Sequence, residues 1–282
     1  MSIEVWKLSL IITLVFYNFS ILKTHQVYAQ ADRFDLNKDF LLVHFDCKTD
    51  VDDLQTMAAF ATLLSSSDYS NINYHVVTGT YGFQEGLYVP PNKLLELAFK
   101  NHWTDAHNNS TSAVTEVISR LNPAIELGGS IWIADAGQSD FTAKLIKVIM
   151  LEYPSLISTD RIHVIQHSEW NESVTTPSAL QFVKNQSNYN KIADGNSLNN
   201  GTPGFKDANF TYWDTVISDP GLIDIWQLAV GLSNQYNGKE ERYLNEAIDS
   251  GGLDFSDLSE VCWILNLEDI TDIDDFFSKV LN

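Results

Sequence analysis

Four aspartates in one short stretch, Asp46, Asp50, Asp52 and Asp53, are the densest chemical feature of this chain. They follow a nearly unbroken apolar run, Phe40 to Phe45, and precede LQTMAAFATLL, an Ala/Leu/Met-rich stretch of helical composition. Carboxylates this close repel one another, so a shielded cluster needs protons or a cation to neutralise it. Polar groups also follow two later apolar runs: Asp135 to Asp140 after SIWIA, and Glu169-Trp170-Asn171 after RIHVIQ. A further acid, Asp257, stands in FSDLSEVCWIL at the start of a late helical pattern. Hard oxygen donors of this kind suit calcium or magnesium. The seven histidines form no HExxH or HxH set, which argues against zinc.

The elements that must position these groups alternate in type. Strands are expected at Phe40–Phe45, Ile72–Thr78, Ser130–Asp135 and Arg161–Gln166, with helices after each. Helical patterns lie near 91–101, 110–122, 141–151, 220–236 and 258–265, the last with Ser256 as its N-cap. Such alternation predicts an α/β fold: a mostly parallel open sheet with helices on both faces. In that architecture ligands bind outside the carboxyl ends of the strands, where these carboxylates fall. The Asn/Gly-rich stretch 185–209 reads either as a loop covering the site or as a surface insertion. Asp35 to Asp39 reads as a turn, since the glycine and closing glutamate of an EF-hand loop are missing.

The 282 residues carry 37 acidic and 17 basic side chains, a net charge of -20. No Lys/Arg cluster is present to neutralise phosphates, so nucleic acid is not an expected partner. Lys7, the apolar run 8–22 and Val27-Tyr28-Ala29 fit a signal peptide spanning 1–29 and cleaved after Ala29. This implies an exported protein, periplasmic or secreted, with no membrane span after cleavage and one domain over 30–282. Cys47 and Cys262 read as small buried hydrophobes. No GxGxxG, GxSxG or GKS/T motif is found, so dinucleotide, serine-hydrolase and P-loop chemistries are unsupported.

With these residues in view, the chain resembles the calcium-dependent nucleoside hydrolase family. The resemblance rests on the strand-end acidic motif Asp46-Cys47-Lys48-Thr49-Asp50-Val51-Asp52-Asp53, the AGQSD turn, the Glu169-Trp170-Asn171 triplet and Ser256-Asp257, and it spans about 40 to 266. It implies that Asp46, Asp53 and Asp257 chelate Ca2+, with a backbone carbonyl from Asp140 or Ser139. Asp52 is then the base that activates a calcium-bound water. Glu169 and Asn171 hold sugar hydroxyls, while Trp170 and Tyr81 cover the sugar or stack on a base; Trp263 is assigned to core packing. The implied reaction is hydrolysis of an N-glycosidic bond in a nucleoside or related riboside.

Three positions depart from the family. Lys48 stands where it has a carboxylate, Ser256 where nucleobase-activating relatives carry a histidine, and Tyr81 where a sugar-binding asparagine is usual. They support an alternative, a weakly catalytic or non-catalytic carbohydrate-binding protein on the same fold. A phosphatase of the haloacid dehalogenase type is disfavoured, because Lys48 breaks its DxD motif. The expected partner is a small-molecule glycoside or nucleoside, and a homo-oligomer remains compatible with the reading.

Overall fold

The computed structural model describes residues 33–154, 159–210, 219–267 and 269–281. The signal-peptide reading of 1–29 lies outside the described residues. Residues 33–282 cluster into one compact unit.

Strand β1, Phe40–Phe45, is buried along its whole length. Alternate side chains enter opposite cores: Leu41, Val43 and Phe45 one, Phe40 and Leu42 the other. A strand apolar on both faces needs helices on both sides, which is why its sequence is continuous rather than alternating. The remaining strands are β2 Tyr74–Thr78, β3 Trp103–Asp105, β4 Ile131–Ala136, β5 Ile162–His167 and β6 Asn188–Ile192. They form a six-stranded sheet in the order β3-β2-β1-β4-β5-β6, and every pairing in it is parallel. The chain order reverses between β1 and β4, leaving a crevice at their carboxyl ends. The expected α/β fold is therefore the observed one. Two edge strands, β3 and β6, were not anticipated.

On one face lie α1 (Asp52–Ser65), α2 (Asn92–Phe99), α7 (Pro220–Tyr236), α9 (Ser259–Ile264) and α10 (Ile273–Val280). On the other lie α3 (Ser110–Glu126), α4 (Asp140–Glu152) and α6 (Pro177–Gln186). Helix α1 is buried from Asp53 to Leu63 because α7 covers it. Leu54, Met57, Phe60 and Leu63 each contribute about 1.5–3 kcal/mol by leaving water. Trp226 of α7 donates its indole N–H to Thr62 Oγ1 at 2.8 Å, which satisfies both polar atoms inside the contact. Among the described residues no helix is long and apolar enough to cross a membrane.

Past β6 the Asn-rich segment returns as β7, Lys206–Asp207, antiparallel to β8, Leu253–Asp254. Short helices α5, Glu169–Val174, and α8, Glu246–Asp249, complete the chain. Asp257 lies in a 3-10 turn, Ser256–Leu258, rather than in the first turn of an α-helix. Ser256 provides no side-chain cap, and its hydroxyl has no hydrogen-bond partner. Trp263, expected in the core, is 39% exposed, because its neighbours Cys262 and Ile264 take the inward face of α9. Cys47 and Cys262 are both buried and unpaired.

Candidate metal centre and binding cavity

The turn after β1 is held from three directions. Asp46 Oδ1 accepts the Lys48 backbone N–H at 2.8 Å, and its Oδ2 accepts Gln138 Nε2 at 2.7 Å. The Cys47 N–H donates to Asp53 Oδ2 at 2.9 Å, with Cys47 itself left-handed at φ 52°. Gly137, at the end of β4, has φ 106°, and a Cβ there would meet Asp46 Oδ2 at 2.6 Å. Only glycine satisfies both constraints, so the β4 turn closes directly against Asp46. Behind it Gln166 donates to the Gly137 carbonyl at 2.7 Å and to Ser139 Oγ at 3.1 Å.

Helix α1 then starts on Asp52 and Asp53, acids in its first turn where the helix dipole favours negative charge. The 3-10 turn brings Asp257 to them. Carboxylate oxygens of Asp52, Asp53 and Asp257 lie within 4.8 Å of one another. Burial, then the charges of Asp50 and Asp257 on Asp52 and of Asp46 and Asp257 on Asp53, hold both carboxyls well above the usual range. Burial does the same to Asp257, against the opposing pull of His167. Asp46 is pushed up to about 7, chiefly by burial. Asp50 is pushed up to about 6 by burial and the nearby Asp254. These carboxylates line a cavity of about 500 Å³.

The other residues expected at the site separate into two groups. Asn171 is buried and Trp170 half exposed, and both line the cavity. The Asn171 amide donates to the His167 carbonyl at 3.2 Å. Glu169, Tyr81 and Asp140 do not join them. The Glu169 side chain is 85% exposed and pairs with Lys191 outside the cavity. The Tyr81 hydroxyl bonds His107 Nδ1 at 2.8 Å. Asp140 Oδ2 accepts the Thr176 N–H at 3.0 Å, next to the start of α6, whose first N–H groups need an acceptor. The Ser139 carbonyl is taken by the Ala143 N–H at 2.9 Å. Asp135 is structural: its Oδ1 accepts Thr142 Oγ1 at 2.7 Å and lies 3.1 Å from His44 Nδ1.

Several lining residues were not singled out from the sequence. His167, at the end of β5, sets Nε2 3.7 Å from Asp257 Oδ1 and Nδ1 3.0 Å from Glu260 Oε1. The second contact is off-axis for a hydrogen bond, and Glu260 Oε1 accepts the His167 backbone N–H at 3.0 Å instead. Burial opposes charge on this imidazole, yet Glu260 and Asp257 outweigh it, and its pKa is pushed up to about 9. A glutamate inside the otherwise apolar run of α9 was the signal for this pair. The Asn-rich segment supplies Asp194, Asn196 and Lys206 to the cavity. Lys206 Nζ bonds Asp254 Oδ2 at 2.8 Å and Asn196 Oδ1 at 3.2 Å. A Cβ on Gly195 would lie 2.2 Å from Ser259 Oγ and 2.4 Å from the Ser256 carbonyl. Part of the stretch, Asn188–Ile192, is strand β6 rather than loop, while the part around Gly195 packs tightly on the turn carrying Asp257 and forms a wall of the cavity.

The donor set fits a divalent cation. It consists of shielded carboxylate oxygens, and among the described residues no cationic side chain forms an ion pair with Asp46, Asp52 or Asp53. Buried Cys47 is no competing nucleophile: burial and Asp53 push its thiol well up, and its Sγ is 3.1 Å from Thr78 Oγ1. No protein-family model matches this chain, and no curated protein or solved structure matches it either.

Proposed function

We propose that this chain is a calcium-dependent hydrolase of an N-glycosidic bond, acting on a nucleoside or related riboside as the nucleoside hydrolase family does. The observation that carries the reading is the convergence of Asp52, Asp53 and Asp257, from the first and last parts of the described chain, on one cavity. Asn171 and Trp170, from the triplet after β5, line the same space.

In this reading Asp53 and Asp257, with Asp46 against Asp53, hold Ca2+. When bound, calcium supplies a fixed double charge that orients the attacking water and two sugar hydroxyls. Asp52, partly open to the cavity, takes the proton of that water as its oxygen bonds the anomeric carbon. The carbon–nitrogen bond breaks through an oxocarbenium-like state, and the leaving nitrogen keeps the bonding pair. Asn171, fixed by the His167 carbonyl, orients a further hydroxyl, and Trp170 covers the leaving group. The exported location read from 1–29 belongs to the same proposal.

The test is sugar release from a panel of nucleosides and simple glycosides, with calcium and again with a chelator. Chelator-sensitive release supports the hydrolase. Silence together with measurable calcium or sugar binding favours the carbohydrate-binding alternative, for which the outward aim of Glu169 already speaks. Silence with neither binding defeats both readings.

A further inference from the structure

We infer that the ligand of this cavity carries an anionic oxygen group, a phosphate or a carboxylate, received by the Lys48 ammonium. The inference rests on the glycoside reading above and narrows its substrate class. Three cationic side chains line the cavity: Lys48, His167 and Lys206. His167 faces Asp257 and Glu260, and Lys206 is bonded to Asp254. Lys48 alone forms no ion pair among the described residues.

Its position is built. The ammonium sits 4.2 Å from the centre of the ring of Tyr81, which flanks Lys48 from outside the cavity lining, and the Tyr81 hydroxyl is tied to His107. The His107 ring stacks on Tyr88 at 3.8 Å between centroids, and the Tyr88 hydroxyl reaches Thr78 Oγ1 at 3.0 Å. Thr78 in turn bonds Cys47, the residue before Lys48, whose own backbone N–H is held by Asp46. A closed circuit of contacts thus fixes both ends of the lysine. An aromatic face attracts an ammonium without supplying a counter-charge. The ammonium has three donors and no acceptor, so its complement is an acceptor, and a charged one forms the stronger bond. Asp46, Asp50 and Asp52 line the same cavity, so the anion is received alongside the bound cation that balances them.

The experiment is calorimetric binding of ribose, ribose 5-phosphate, glucose and glucuronate to the mature protein in saturating calcium, repeated with Lys48→Met and Lys48→Arg. At least one anionic sugar should bind about tenfold more tightly than its neutral counterpart, as one charge-assisted contact implies. Lys48→Met should erase the preference and Lys48→Arg retain it. A preference confined to ribose 5-phosphate names phosphate; one confined to glucuronate names carboxylate. Equal binding of neutral and anionic sugars, or a preference that survives Lys48→Met, overturns the inference and leaves the hydrolase reading standing. Failure of every sugar to bind overturns the inference, and the hydrolase reading then stands or falls on the release assay above.

Discussion

The sharpest consequence of the acidic cluster concerns stability in the absence of metal. Carboxylates whose oxygens lie within 4.8 Å of one another repel by about 3.5 kcal/mol or more at an effective dielectric near 20. The metal-free fold relieves this by keeping protons. A carboxyl whose pKa rises on folding stays protonated in the folded chain while the unfolded chain ionises, so stability falls as pH climbs between the two values. For Asp46, raised from 3.8 to about 7, the loss is about 1.4 kcal/mol per pH unit and roughly 4 kcal/mol in all, complete above about pH 7. Bound calcium removes the penalty, and at a hundredfold excess over its dissociation constant it adds about 2.7 kcal/mol. For a domain of this size that is about 5–10 °C in Tm. At pH 5 calcium must displace protons, so the increment shrinks. The assay is thermal denaturation in chelator and in excess calcium, at pH 5 and pH 7.5. A calcium increment as large at pH 5 as at pH 7.5, or none at either, would refute the reasoning.

Asp52→Asn should lower turnover by orders of magnitude while leaving calcium affinity nearly intact; calorimetry and single-turnover kinetics check this together, and a large loss of calcium affinity makes Asp52 a ligand instead. Gly137→Ala should cost about 1–3 kcal/mol in urea denaturation and weaken calcium binding, because its methyl group collides with Asp46; unchanged affinity means that the β4 turn does not set the Asp46 position. Buried His75, bonded to Thr104 at 2.7 Å, has its pKa lowered to about 3, chiefly by burial. The unfolded chain gains this proton near pH 6.5 and the folded chain does not, so stability is lost as pH falls from about 6.5 to about 3, at about 1.4 kcal/mol per unit. His75→Gln should flatten that acid limb, and an unaltered slope in urea denaturation counts against the assignment.

The central strands and their helices are legible because burial on both faces writes an apolar run, as in Phe40–Phe45 and Ile131–Ala136. The edge strands are not. Trp103–Asp105 pairs with β2 over three residues, and Asn188–Ile192 pairs with β5 through its backbone while its side chains stay partly or fully exposed. Neither needs an apolar sequence. At the site, Asp46, Asp52, Asp53 and Asp257 could be named because their spacing follows strand and helix ends. The aim of a side chain is a different matter. Asp140 turns to an N–H of a distant helix start, and Glu169 turns to Lys191 on β6, an unanticipated strand. His167 is less legible: Glu260, beside an apolar run, hints at a buried partner, but which residue meets it is set by tertiary packing.

The short ribbon of β7 with β8 has a consequence for how the molecule comes together. It ties the Asn-rich segment to the turn bearing Asp257, so the cavity wall and the third carboxylate arrive as one piece. A nascent chain that has made all six sheet strands, through Ile192, holds only the first acids of the cluster and still lacks α7, α9 and α10, which cover one face of the sheet. On the proposed calcium reading, the metal favours molecules whose late segment has docked and gives little to the intermediates that precede it. The proposed metal would then latch the docked late segment in place, as well as take part in the proposed chemistry.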